Sequence, residues 1–194
     1  MPIEYEAKFL NINKDAFRQR LAQAGYTCML PEFLYRRQTF DLPNVGIEKW
    51  GRVRWEQDVI NLSIKHTIDP LAVDGTREYL LNIPIGDNPE RQYAEAIEFM
   101  KACGLLPAGA QENYREIWVK GEVEACLDTW PGLRPYVEIE APDEASVRVA
   151  VTELGLDFSQ ALFGGVTAAY EAELGISPAD FGRIKVVTFD QPPI

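Results

Sequence analysis

Apolar residues recur along the chain with two periods, and the switches between them mark out its elements. Ile3, Tyr5, Ala7 and Phe9 occupy every second position, as on a strand whose side chains alternate between faces, which leaves Glu4, Glu6 and Lys8 together on the other face. Asn13 can then cap a helix carrying Phe17, Leu21 and Ala24 at helical spacing, and Gly25 ends it. From about residue 34 to 85 the period returns to two. Arg37–Asp41, Gly51–Trp55, Ile60–Lys65 and Thr76–Ile85, separated by Gly, Pro, Asp and Asn, predict an antiparallel meander. A second helix is expected from Asn88 as cap and Pro89 in the first turn, through Tyr93, Ile97 and Met100, to Gly104. Strands at Tyr114–Lys120, Glu122–Asp128 and Arg134–Ala141 complete the sheet. A third helix runs from Pro142 and Asp143 through Val147, Ala150, Val151 and Leu154 to Gly155, before a helical tail around Tyr170 and Leu174. The pattern predicts an α+β fold. With no repeat or linker to divide it, residues 1–194 are expected to be one domain, and the Pro-ended segment after Lys185 a loosely attached end.

Composition narrows the picture. The 194 residues are 46% hydrophobic, enough for a sizeable core, yet no apolar run approaches the roughly 18 residues of a membrane span. Met1 stands too close to the first strand for a signal peptide, so a cytoplasmic location is expected. Cys28, Cys103 and Cys126 are odd in number, far apart and without Cys-x-x-Cys spacing, which argues against disulfides or zinc and for buried reduced thiols. A formal net charge of -11 opposes nonspecific binding to nucleic acid or to an anionic membrane. The excess acid lies mainly in the last third, while cations concentrate before it.

Those cations sit on strands. Arg52 and Arg54 share a face, with Val53 and Trp55 opposite; Lys65 alternates against Leu62 and Ile64; Arg77, Arg115 and Lys120 add further cations. Asp128, Glu138 and Glu140 add acids on the last strands, and Glu138-x-Glu140 repeats the opening Glu4-x-Glu6. Taken alone, each row reads as a solvated strand face. A closed sheet of about eight strands, however, has an interior that side chains or a small ligand fill, and burying so many unpaired charges would cost several kcal/mol per ion. Guanidinium forks suit phosphate oxygens, and paired carboxylates suit hard cations such as Mg²⁺ or Mn²⁺. The combination points to a metal–polyphosphate site.

In this order, Glu4-x-Glu6-x-Lys8, Arg52-x-Arg54, Lys65, Arg77-Glu78, Arg115, Asp128 and Glu138-x-Glu140 resemble the CYTH superfamily, the triphosphate tunnel metalloenzymes, over roughly residues 3 to 175. The resemblance implies an eight-stranded antiparallel β-barrel tunnel with helices packed outside, which binds a triphosphate compound with one or two divalent metals. It implies Glu4, Glu6, Glu138 and Glu140 as metal ligands, with Asp128 and Glu78 as further acids that hold a second metal or orient water. It also implies Lys8, Arg52, Arg54, Lys65, Arg77 and Arg115 as the phosphate cradle, and a homodimer as a family-level expectation. The chain departs from the family's acid-rich Asp-x-Tyr-Phe-Asp segment, since Arg37-Gln38-Thr39-Phe40-Asp41 keeps only its end. It also lacks a second acid soon after Glu78 and a basic residue shortly before Tyr170.

Other templates are excluded cheaply. The single histidine, His66, gives no basis for a Ser-His-Asp triad and reads as a surface or rim group. No Gly-x-x-x-x-Gly-Lys-Ser/Thr loop is present, so side chains and metal must hold the phosphates. The four tryptophans read as core or rim packing, although those beside basic residues could frame an aromatic substrate end. The expected activity is metal-dependent hydrolysis of a soluble triphosphate: inorganic triphosphate, a nucleoside triphosphate or thiamine triphosphate. Two alternatives stand beside it: a class IV adenylate cyclase, in which a ribose hydroxyl attacks the α-phosphate, and a non-catalytic polyphosphate- or nucleotide-binding module.

Overall fold

The computed structural model describes residues 3–43, 45, 49–69, 71–73 and 76–193, with side chains from Tyr5 onward. The alternating segments form β1 (Ile3–Phe9), β2 (Thr27–Asp41), β3 (Lys49–Trp55), β4 (Val59–Thr67), β5 (Thr76–Pro84), β6 (Leu106–Lys120), β7 (Val123–Thr129) and β8 (Tyr136–Ala141). Their order is β2-β3-β4-β5-β1-β8-β7-β6, every neighbouring pair antiparallel, and β2 pairs in turn with β6. The eight strands therefore form a closed ring of pairings. Its narrowest seam lies between β1 and β5, which meet at Ile3↔Arg77 and Glu4↔Thr76. Beyond these pairs β5 runs on without β1, and its residues from Tyr79 to Pro84 are exposed on both faces.

Helices cover the outer face. Helix α1 (Lys14–Gln23) starts where the Asn13 side chain accepts a hydrogen bond from the Ala16 amide. It buries Phe17 and Leu21 against Ala7 and Phe9 of β1, Leu127 of β7 and Val137 and Ile139 of β8. Helix α3 (Glu144–Glu153) adds Val147, Ala150 and Val151 to the same core. Helix α2 (Pro89–Ala102), capped by Asn88, lays Ala96 and Met100 over Phe40, Val53, Ile60 and Leu62, a second core on the far side of the ring. Each fully buried aliphatic or aromatic side chain contributes roughly 1.5–3 kcal/mol. The outer face thus supplies the hydrophobic stabilisation and leaves the inner face to polar groups.

Three expectations need correction. Strands β2 and β6 are both longer than the breakers suggest. Pro31 falls within a register shift between Leu30 and Phe33, and Pro107 beside one between Thr39 and Phe40, so bulges absorb the residues that read as strand ends. The C-terminal segment is not loose. Helices α4 (Val166–Leu174) and α5 (Pro178–Phe181) lead into β9 (Val186–Val187), which pairs in parallel with Ala110 and Gln111 of β6. There Val187 is fully buried with Trp130, Tyr136, Tyr170 and Phe181, and the Phe189 ring lies 4.9 Å from Tyr114. These elements cover the ring where β7 runs out and β8 begins. Finally, Cys126 is buried as expected, but Cys28 and Cys103 are exposed; all three are free thiols. No helix among the described residues is long and apolar enough to cross a membrane.

Candidate functional site

The inner face follows from register. On β1, Ala7 and Phe9 pack under the helices, so Glu6 and Lys8 point inward. Lys8 is opposite Glu138 and Glu6 opposite Glu140, which places both carboxylates of β8 inside as well, and Glu124 of β7 lies opposite Glu140. Across the ring, Arg37 of β2 is opposite Arg54 of β3, Thr39 is opposite Arg52, and Phe33 is opposite Arg115 of β6. The strand order puts β2 and β3 across from β1 and β8. An acidic wall of Glu6, Glu124, Glu138 and Glu140 around Lys8 therefore faces a basic wall of Arg37, Arg52, Arg54 and Arg115.

Pairing within and between the walls is tight. Lys8 is 2% exposed, and its Nζ lies 2.8 Å from Glu6 Oε1 and 2.9 Å from Glu138 Oε2. Burial pulls the Lys8 ammonium toward neutrality, but Glu138 and Glu6 outweigh it and hold its pKa above the ordinary value. Burial likewise opposes ionisation of Glu138, yet Lys8 and Arg115 keep it well below the usual carboxylate range. Glu140 has only minor help, from Lys65. Burial, with Glu138, Glu6 and Glu124 close by, pushes its carboxyl up to about 7.

On the basic side, Arg115 donates to Asp128 through Nε at 2.9 Å and Nη2 at 2.5 Å, and reaches Glu138 Oε1 at 3.1 Å. Asn113 Nδ2 also donates to Asp128 Oδ1, at 2.8 Å. Asp128 is fully buried and committed to these partners, so it anchors Arg115 in the wall. Arg52 Nη2 lies 2.9 Å from Glu78 Oε1, and Lys65 Nζ lies 3.8 Å from Glu78 Oε2. Arg54 pairs with Glu56.

One sequence-based site residue falls elsewhere. Glu78, opposite Lys65, points inward, so its chain neighbour Arg77, opposite His66, projects from the outer face and is not part of this wall. The side chain of Glu4 lies outside the described residues. In turn, the expected cradle omitted Arg37 and Asn113. Arg37 was detectable: Tyr35, Arg37 and Thr39 share a strand face as Arg52 and Arg54 do. Asn113 gave no such signal, because an isolated amide next to the expected strand carries no pattern.

Whether the acids suit a metal is a separate matter. Among the described residues no group of three or more His, Cys, Asp or Glu is already gathered around a common point for an ion. The donor chemistry nevertheless fits a hard divalent cation. The donors are carboxylate oxygens, and the crowding that raises Glu140 is an excess of negative charge that a cation would relieve. Glu6 and Glu138 are turned to Lys8 instead, so the ligands would have to exchange partners.

No family model and no curated protein sequence matches the chain. Solved structures do. A Pyrococcus horikoshii protein superposes with a TM-score of 0.66 at 20% identity, over 82% of this chain and 94% of its own. A Vibrio parahaemolyticus protein provisionally named an adenylate cyclase gives 0.67 at 18% identity, over 90% and 98%. A Hippeastrum protein provisionally named an adenylyl cyclase, and described as having a dominant triphosphatase activity, gives 0.52 at 17% identity, over 90% and 96%. At these identities the likeness is one of fold: an antiparallel strand ring with helices outside.

Proposed function

We propose that this chain, with its triphosphate-tunnel fold, is a metal-dependent hydrolase of a soluble triphosphate compound. The observation that carries the reading is the pair of facing walls, four carboxylates on β1, β7 and β8 against four guanidiniums on β2, β3 and β6. A polyphosphate bound between them would lay its oxygens on the basic wall and share a cation with the acidic one. The dominant triphosphatase activity ascribed to the Hippeastrum protein supports hydrolysis over cyclisation. So does the state of the aromatic rings. Arg37 covers Trp130 at 4.5 Å, Arg54 covers Tyr35 at 5.3 Å and Arg52 lies 5.9 Å from Trp50, so these faces are occupied by cations where a nucleobase would need to stack.

In this reading Arg52, Arg54, Arg115 and Lys65 bind and orient the phosphates, and Asp128 keeps Arg115 aimed into the ring. Glu6, Glu138 and Glu140, with Glu4, would hold Mg²⁺ or Mn²⁺. Bound there, such an ion would neutralise phosphate oxygens and lower the pKa of an attacking water. Lys8, now paired with Glu6 and Glu138, would be free to contact a phosphate if those carboxylates turned to the ion. Glu78, between Arg52 and Lys65, is the acid placed to orient the water and accept its proton. Partial burial of the two walls strengthens each of these interactions.

The test is to incubate the protein with tripolyphosphate, ATP and thiamine triphosphate, each with Mg²⁺ or Mn²⁺, and to identify the products. Orthophosphate release that Glu6→Gln abolishes is expected. Binding without turnover would leave a polyphosphate-binding module, cyclic AMP with pyrophosphate would select a cyclase, and release that survives Glu6→Gln would mark a contaminant.

A further inference from the structure

Arg37 stands apart from the other inner-face cations. It is 7% exposed, and among the described residues no carboxylate pairs with it. Its Nη2 donates to Asn113 Oδ1, a neutral acceptor whose own amide group is turned to Asp128, and Asp128 is in turn gripped by Arg115. Its guanidinium lies over the Trp130 ring at 4.5 Å, and its Nε is buried with no acceptor. Its strand neighbours are Arg54 on one side and Gln111 on the other. Burial, and after it the positive charges of Arg54, Arg52 and Arg115, push its pKa well below the ordinary arginine value. A cation so placed is destabilising in the free protein, because Asp128, held by Arg115 and Asn113, offsets only part of the desolvation.

The surroundings indicate what is missing. A guanidinium with an unsatisfied edge, in a wall with three others, is built to meet an oxyanion, for which the planar fork gives paired hydrogen bonds. Trp130, on which it rests, belongs to the cluster with Tyr136, Tyr170, Phe181 and Val187 that covers this end of the ring. A linear anion entering from the other end would stop here, so the group that reaches Arg37 is a terminal phosphate rather than a base or sugar.

We propose that Arg37 is a substrate-contacting, specificity-determining residue that binds the terminal phosphate of a linear polyphosphate and sets the preference of the site for a triphosphate over a diphosphate. This rests on the reading of the ring as a polyphosphate site. The resemblance does not mark it, since Arg37 falls where the resemblance would place an acid.

Calorimetric titration of wild type, Arg37→Met and Arg37→Lys with tripolyphosphate and with pyrophosphate, in metal-free buffer to prevent turnover, tests the role, together with thermal melting of each protein without anion. Arg37→Met is expected to melt above wild type, to lose about tenfold or more in tripolyphosphate affinity, and to bind pyrophosphate within about twofold of wild type. Arg37→Lys should fall between them for tripolyphosphate. Should Arg37→Met fail to fold, Arg37→Gln takes its place with the same expectations for affinity. A variant that melts lower and binds tripolyphosphate as wild type does would make Arg37 a packing group on Trp130 and overturn the proposal. Equal losses for both anions would overturn its role in selectivity. A wild type that binds neither anion would remove the polyphosphate site itself, an outcome distinct from one in which wild type binds and the variant is unchanged.

Discussion

At the scale of single residues, the site is governed by which buried charges have partners. Lys8 is shared by two carboxylates, so Lys8→Met leaves Glu6 and Glu138 without the cation between them, and only Glu138 keeps a partner, in Arg115. Urea unfolding is expected to show a loss of about 3–5 kcal/mol, with part of it recovered when Glu138→Gln is added. Glu140 makes the opposite case. Its folded-state pKa of about 7 lies above the ordinary carboxyl value, so the folded protein holds a proton that the unfolded chain has released. Stability is therefore fully present below the ordinary carboxyl range and falls as pH rises through about 7. Thermal melting without metal should show that decline, and Glu140→Gln should flatten it; an unchanged profile in the variant would assign the decline to another group.

At the scale of elements, the ring depends on how its outer face is covered. Helix α2 sits so close to β3 that a methyl group added at Gly51 would meet Leu105 Cδ2 at 2.7 Å and Met100 Cε at 3.2 Å. Gly51→Ala should turn the ends of these two flexible side chains aside, at a cost of about 1 kcal/mol by chemical denaturation. Val187→Ala reports on the other covering element. The side chain is fully buried in the C-terminal cluster, and a loss of about 2 kcal/mol is expected, where a loosely attached tail would show none.

At the scale of the whole molecule, the net charge of -11 and the acidic wall weaken the hold of the basic wall on a polyanion, and a divalent cation would offset them. Removal of divalent metal with EDTA is expected to abolish phosphate release while tripolyphosphate still raises the melting temperature through the basic wall. Release that persists in EDTA would separate hydrolysis from the carboxylates of β1 and β8. Much of this arrangement is legible in the chain. Period-two alternation marks the strands, Asn13, Asn88 and Asp143 cap the helices as their positions suggest, and the rows at Glu6 and Lys8, Arg52 and Arg54, and Glu138 and Glu140 show one polar face each. Alternation also bears on the residue that was misplaced. Neighbours on a strand face opposite ways, so with Glu78 inside Arg77 had to lie outside, and treating the two as one motif hid this.

What the sequence determined by itself is the local content of the protein: which segments are strands or helices, and which charges share a strand face, because both follow from side-chain spacing along the backbone. The tertiary structure alone decided which of those faces became the interior. Pairing of β2 with β6 joins residues 65 or more positions apart, as Asp41 and Leu106 show, and no local period encodes that contact. Closure brings Arg37 against Arg54 and Trp130, seats Asp128 on Arg115, and turns separate solvated rows into two facing walls. It also gives Val186 and Val187 a strand edge to join. The physical reason is that burial and charge pairing are properties of the assembled ring, settled only when distant strands meet.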